Sequence, residues 1–377
     1  MPLKKINTAL LILVSLILIL NKTTYAQDSS FVKRLTFSVE PQWGFVMPHH
    51  DYMAYFLEEN ITGFQLNVGL LTLGTKNWHK YYNYPQIGAG FYHSTLGNDE
   101  IYGKMNALYL YIDRKFLPMR YRFNIGNRIA FGASHVSKYY DKNTNPQNII
   151  IATPINAFIQ YDIMAYFRIN SHISLKGSFG FTHTSNGSIK DPNKGFNIVT
   201  SSFGLQYAIS DERNVFKDAT TVDEFQKRHT LYLGIVSGCK SISRLDDKTY
   251  AIVGLTGEYL YELNPTTSIG GEVVAYYDAS NKDESDPDDA ENFKDIDYIN
   301  ITFNPTYALR FGKVLFTFQP GLYLRNTVNQ YSLATNKVGL RYQCTPNMLV
   351  SMAIKAHWLA KADFIEFGIR YNILRRN

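Results

Sequence analysis

The segment ITGFQLNVGLLTL, residues 61–73, decides the fold. Phe64, Leu66, Val68 and Leu70 occupy alternate positions, with Gln65, Asn67 and Gly69 between them. Successive side chains of a β-strand point to opposite faces, so this period of two gives a sheet with one apolar and one polar side. The alternation recurs in NKVGLRYQC, residues 336–344, where Val338, Leu340 and Tyr342 share one face and Lys337, Gly339, Arg341 and Gln343 the other. A lysine and an arginine on the polar face predict a wet or salt-bridged interior. The apolar face, turned outward, predicts contact with lipid.

The rest of the chain agrees with this reading. Phe, Tyr and Trp make up 15% of the residues and only 19% are charged. Lys4 and Lys5 precede an apolar run at Ala9–Leu20 and a small-residue site ending at Ala26, which reads as a secretory signal over residues 1–26, cut before Gln27. Nowhere does an apolar run reach the roughly 18 residues of a spanning helix. Export, abundant aromatics and no apolar helix together predict an all-β, outer-membrane antiparallel transmembrane β-barrel. A soluble sandwich or secreted sugar-binding domain is the competing reading. Without Lys4, Lys5 and Lys22, the 38 bases fall to 35 against 32 acids, a small excess that makes no case for a nucleic-acid partner.

Sixteen alternating segments can be counted. Eight lie near 34–46, 61–73, 85–96, 103–115, 120–133, 155–169, 171–185 and 195–209, and eight near 229–239, 249–262, 267–278, 297–311, 313–325, 331–344, 347–358 and 363–374. An even number returns both ends to the periplasmic side and puts long polar connections such as 139–147 and 281–295 outside. The organisation expected is a module over 27–210, a charged periplasmic connection over 211–228, and a second module over 229–377. IGAGFYHSTLGN (87–98) and IGGEVVAYYDASN (269–281), each third in its set, hint at a duplication. One barrel of about 16 strands is favoured over two tandem eight-stranded barrels, because a single closed sheet removes every edge with one set of contacts. Cys239 and Cys344 fall at opposite ends of their strands, which predicts free thiols.

Functional chemistry concentrates in one hairpin. In HISLKGSFGFTHTS, residues 172–185, the apolar parity of Ile173, Leu175, Phe179 and Phe181 runs on to His183 and Ser185, so both point towards lipid. In the following strand, Asn197 shares parity with Val199, Phe203 and Leu205, and hairpin spacing sets it beside His183. Polar groups facing lipid are costly and mark function. A serine hydroxyl becomes nucleophilic when an imidazole takes its proton, and a third group holds the imidazole's tautomer. Ser185 is the candidate nucleophile, His183 the base and Asn197 the orienting group. Asn186 and Gly187 are candidate oxyanion donors, and Lys190 and Lys194 candidate partners of substrate phosphate. No metal or cofactor is implied. Taken without context, H-x-S before Asn-Gly is a strand end with a turn, and loop lysines are solvated.

The string HTSNGSIKDPNKGFN, residues 183–197, resembles the signature of the PagL-type lipid A 3-O-deacylases, eight-stranded outer-membrane barrels that hydrolyse an ester-linked acyl chain of lipid A with a lipid-facing Ser-His pair and an acid. The family's histidine, serine and asparagine fall on His183, Ser185 and Asn186, and its P-N-x-G on Pro192, Asn193 and Gly195. Where characterised members have a glutamate, this chain has Asn197, which can hold a tautomer but cannot stabilise imidazolium by charge. The full length resembles extended acyloxyacyl hydrolase relatives. The resemblance implies a serine esterase of the outer membrane that takes lipid A, or lipopolysaccharide, as substrate. In the second half, His357 points inward and Leu359 stands where a serine would be needed, so that half is expected to be structural, with a lumen network of Lys355, Glu366 and Arg370. The alternative function is a non-catalytic porin or transporter, since a barrel of about 16 strands can leave an aqueous channel.

Overall fold

The structure, a computed structural model, describes residues 29–49, 51–211, 213, 225–244, 248–328, 333–358 and 361–376. The expected secretory segment 1–26, most of the connection 211–228, and Leu359 lie outside the described residues.

Among the described residues, sixteen antiparallel strands form two closed barrels of eight. The first comprises β1 (Leu35–Val46), β2 (Ile61–Leu71), β3 (Gln86–Thr95), β4 (Lys104–Lys115), β5 (Phe123–Val136), β6 (Ile155–Arg168), β7 (Ile173–Ser185) and β8 (Phe196–Ala208). The second comprises β9 (His229–Lys240), β10 (Tyr250–Asn264), β11 (Thr267–Asp278), β12 (Ile299–Phe311), β13 (Val314–Arg325), β14 (Ala334–Thr345), β15 (Met348–His357) and β16 (Lys361–Arg376). Every strand expected from alternation is present.

The favoured single barrel is corrected. β8 closes onto β1 through pairs such as Thr36↔Ala208 and Val39↔Leu205, and β16 closes onto β9 through pairs such as Ile369↔Ile235. Closing eight strands already satisfies all backbone groups of the first sheet, so no edge remains for β9 to join. The saving in edges that favoured one barrel is achieved equally by two.

Outward and inward faces follow the alternation. Leu66, Phe179, Leu205 and Tyr207 are exposed on the outer wall, with Phe64 partly so. An eight-stranded barrel is just wide enough for side chains to fill it. In the first barrel, Arg128 donates from Nε and Nη2 to the two carboxylate oxygens of Asp113 at 2.7 and 2.8 Å, and Lys176 pairs with Glu40 at 2.9 Å. In the second, Glu272 receives Arg370 at 2.7 Å and Lys337, while Arg341 pairs with Glu258. Lys337, Arg341, Lys355, Glu366 and Arg370 are all buried in that lumen. These filled interiors remove the geometrical basis of the porin alternative, which rested on a wide single barrel. Cys239 and Cys344 are free, on β9 and β14.

The two barrels stand side by side the same way up. At the rim carrying the short connections, Tyr82 stacks on Phe311 with centroids 4.6 Å apart and donates its hydroxyl to Thr266 O at 3.3 Å. Midway, Phe131 meets Phe316 at 5.7 Å. At the opposite rim, where the longer loops gather, Ser188 Oγ donates to Ala362 O at 2.8 Å. The seam therefore runs the full height of both walls and passes beside the end of β7.

Candidate active site

β7 and β8 form one hairpin whose register sets His183 opposite Asn197. His183 Nδ1 lies 2.7 Å from Asn197 Oδ1, and His183 Nε2 lies 3.0 Å from Ser185 Oγ. The strand pleat makes this possible. Thr182 and Thr184 turn into the lumen, leaving His183 and Ser185 on the outer face. Thr184 anchors the strand end, its hydroxyl donating to Ala157 O at 2.9 Å and meeting Ser134 Oγ at 2.5 Å.

With Asn197 Oδ1 accepting from Nδ1–H, the other ring nitrogen presents its lone pair to the serine hydroxyl. That is the tautomer in which His183 can receive the Ser185 proton.

The pair is less open to lipid than strand parity alone implies. His183 is partly exposed, but Ser185 is only 1% exposed. Ser185 pairs across β6 with Ala157, which lines the seam together with Ile354 and Ile365 of the second barrel. The loop of residues 186–195 also folds back over the pair. Gly195 has φ +73°, and a Cβ there would sit 2.9 Å from His183 Cε1 and 3.1 Å from Ser185 Cβ. Only glycine combines this left-handed backbone with so close an approach.

The loop is held from several sides. Asn186 N–H donates to Asn193 Oδ1 at 2.8 Å, and Asn186 Nδ2 to Lys190 O at 2.8 Å. Lys194 N–H and Gly195 N–H both donate to Ile150 O, at 2.7 and 3.1 Å. The Asn186 backbone is thus committed to the loop, while its amide retains a second hydrogen. Gly187, at φ +62°, sits against Ile365. Lys190 and Lys194 are exposed on this loop. In the second half, His357 is buried and turned inward, with Nδ1 3.1 Å from Tyr323 Oη.

The residues missed in the sequence are those of the second barrel that touch this loop: Ser241, Ala362 and Ile365. They come from distant parts of the chain, and nothing in local alternation signals a contact between the outer walls of two barrels.

Comparison with known proteins divides the chain at the same place as the barrels. Residues 62–206 match the family described as Lipid A 3-O-deacylase (PagL), and residues 228–376 match the family described as Acyloxyacyl hydrolase, C-terminal domain. No curated protein matches the chain. Among solved structures, a mutant of the Rh. blastica porin is 10% identical, covering 90% of this chain and 100% of its own, with a TM-score of 0.18. Omp33 of Acinetobacter baumannii is 8% identical over 91% of this chain and 100% of its own, with a TM-score of 0.19. Likenesses this distant add nothing to the strand pairing itself. The two sequence matches, covering one barrel each, place the chain in the PagL-type lipid A 3-O-deacylase family, in the extended form with an acyloxyacyl hydrolase C-terminal domain.

Proposed function

We propose that this protein is an outer-membrane serine esterase that removes an ester-linked acyl chain from lipid A, with Ser185 as nucleophile, His183 as general base and Asn197 as the group that orients the imidazole. The observation that carries this reading is the single imidazole bridging Ser185 Oγ at 3.0 Å and Asn197 Oδ1 at 2.7 Å on the outward face of one hairpin. The family match supplies the substrate class.

In the reaction so read, His183 Nε2 takes the Ser185 proton as Oγ attacks the ester carbonyl. The Gly187 N–H and the remaining amide hydrogen of Asn186 are the nearby donors for the developing oxyanion. Collapse expels the sugar hydroxyl, which takes the proton back from His183, and leaves an acyl group on Ser185. Water, deprotonated by the same imidazole, then releases the fatty acid. Asn197 holds the tautomer through both half-reactions but offers no negative charge to the imidazolium, so a lower rate than with a carboxylate is expected. The site-bearing module of residues 27–210 acts in this scheme within the outer leaflet, and Lys190 and Lys194 face the region of the substrate headgroup.

Purified protein incubated with lipid A tests the proposal. The expected product is lipid A lighter by one acyl chain, together with the matching free fatty acid. Unchanged lipid A across several acylation patterns would overturn it.

A further inference from the structure

The two barrel walls do not touch evenly along their seam. At the short-connection rim Tyr82 stacks on Phe311 at 4.6 Å, and Trp78 stands edge-on to the same ring at 6.5 Å. Midway, Phe131 meets Phe316 at 5.7 Å. In this lower half of the seam lies a cavity of about 540 Å3. Leu110, Ile129 and Phe131 line one wall and Val314, Phe316 and Leu340 the other, with Trp78 at the rim.

The surroundings select what fits there. The aliphatic and phenyl walls offer no hydrogen bonds, and apolar cavities of this kind stay dry and take up apolar molecules. The lining strands turn these residues towards hydrocarbon, and Leu110 is 70% exposed, so the slot opens on the bilayer. A cavity near 150 Å3 holds a benzene ring and roughly 300–1,000 Å3 is usual for a ligand site, so this one accommodates a stretch of alkyl chain. At the rim, Trp78 Nε1 is a buried donor with no acceptor among the described residues, close to the β12–β13 turn at Gly312. A buried N–H left unpaired is costly, so an occupant that brings an oxygen to this end is favoured. Above Phe131 and Leu340 the seam narrows to about 40 Å3 beside Ala157, the cross-strand partner of Ser185. A chain in the lower cavity is therefore separate from one held at Ser185, and it enters from the periplasmic leaflet.

We propose that the lower seam is a lipid site: one acyl chain of a glycerophospholipid from the periplasmic leaflet fills the cavity, and an ester or phosphate oxygen of the same molecule accepts from Trp78 Nε1–H. Within a bilayer the chain gains no hydrophobic advantage by leaving its neighbours, so retention rests on contact with two protein walls at once and on the anchored head. The lipid joins the barrels where their own side chains stand apart. This site is independent of the esterase reading of Ser185.

The test titrates dipalmitoyl phosphatidylethanolamine into the full chain in mild detergent and counts bound lipid by native mass spectrometry. One tightly held phospholipid per chain is expected. Ile129→Trp and Val314→Trp fill the cavity from opposite walls, and each is expected to weaken binding at least about tenfold. Trp78→Phe keeps the ring but removes the donor, and a loss of about fivefold is expected, the value of one hydrogen bond. Val39→Trp adds the same bulk to the outer wall on β1, away from the cavity, and should bind as the unaltered protein does. Heat-shifted gel migration confirms that each variant is folded. Absence of a retained phospholipid, equal binding by the unaltered protein and both cavity-filling variants, or an equal loss in Val39→Trp overturns the proposal. Preferential retention of lipid A over the phospholipid also overturns it, by placing the occupant in the outer leaflet.

Discussion

The imidazole of His183 lies 3.0 Å from the hydroxyl of Ser185, although Thr184 between them points to the opposite side of the sheet. A strand places residues two apart side by side without any further device, and the paired strand adds Asn197 in register. Strand geometry and register thus bring the three polar side chains within hydrogen-bond distance in sequence.

Asn197 is the most informative position. Asn197→Ala removes the partner of Nδ1 and frees the ring to adopt the wrong tautomer, so kcat for deacylation is expected to fall by roughly 10²-fold or more with little change in KM. Asn197→Glu supplies charge to the imidazolium and is expected to preserve or raise kcat. Steady-state kinetics on purified variants decides it, and a rate indifferent to Asn197→Ala would remove this residue from the site.

Gly195→Ala should be poorly tolerated. A left-handed backbone costs a residue with a side chain roughly 1–2 kcal/mol. The added methyl would also press on His183 and Ser185. Loss of most activity is expected in a protein that still shows the heat-shifted migration of a folded barrel. Wild-type activity in Gly195→Ala would mean that the loop does not lie over the pair as described.

Glu272 tests the second barrel's interior. Its carboxylate receives Arg370 and Lys337, and also Thr256 Oγ1 at 2.7 Å and Gln319 Nε2 at 2.9 Å. Glu272→Ala leaves the two buried cations Arg370 and Lys337 to share Glu366, at 3.3 and 3.4 Å, so one buried positive charge goes uncompensated, at a cost of about 3–5 kcal/mol. The midpoint of urea unfolding in lipid vesicles should fall accordingly. An unchanged midpoint would show that this network is not a source of stability.

Neither barrel should conduct. Both lumens are crossed by buried ion pairs, including Arg128–Asp113 in the first and Arg341–Glu258 in the second. Planar bilayers containing the purified protein are expected to show no steady channel currents. Reproducible single-channel steps would favour the transporter alternative.

Much of this was legible in the sequence, for identifiable reasons. Alternation such as Phe64–Gln65–Leu66–Asn67 marks a strand and its lipid side directly, and the observed β2 spans Ile61–Leu71 within the segment expected. Parity likewise carried His183, Ser185 and Asn197 to one face of one hairpin. Closure was not legible, because alternation states which face of β8 is inside and not whether its edge meets β1 or β9. Burial of Ser185 was not legible either. Parity gives the side of the sheet, whereas the loop that returns over Ser185 brings Gly195, ten residues further on, against it, and Ile365 of the other barrel packs on Gly187 of that same loop.

The central claim is that Ser185 cleaves an acyl ester of lipid A, and the mass of lipid A in living cells tests it most directly. The protein and its Ser185→Ala variant would be expressed to equal, folded levels in the same Gram-negative host, and lipid A would be extracted and measured by mass spectrometry. The account predicts lipid A lighter by one acyl chain with the unaltered protein, and the host's own mass with Ser185→Ala. Lipid A shortened equally by both proteins, or by neither, would contradict it.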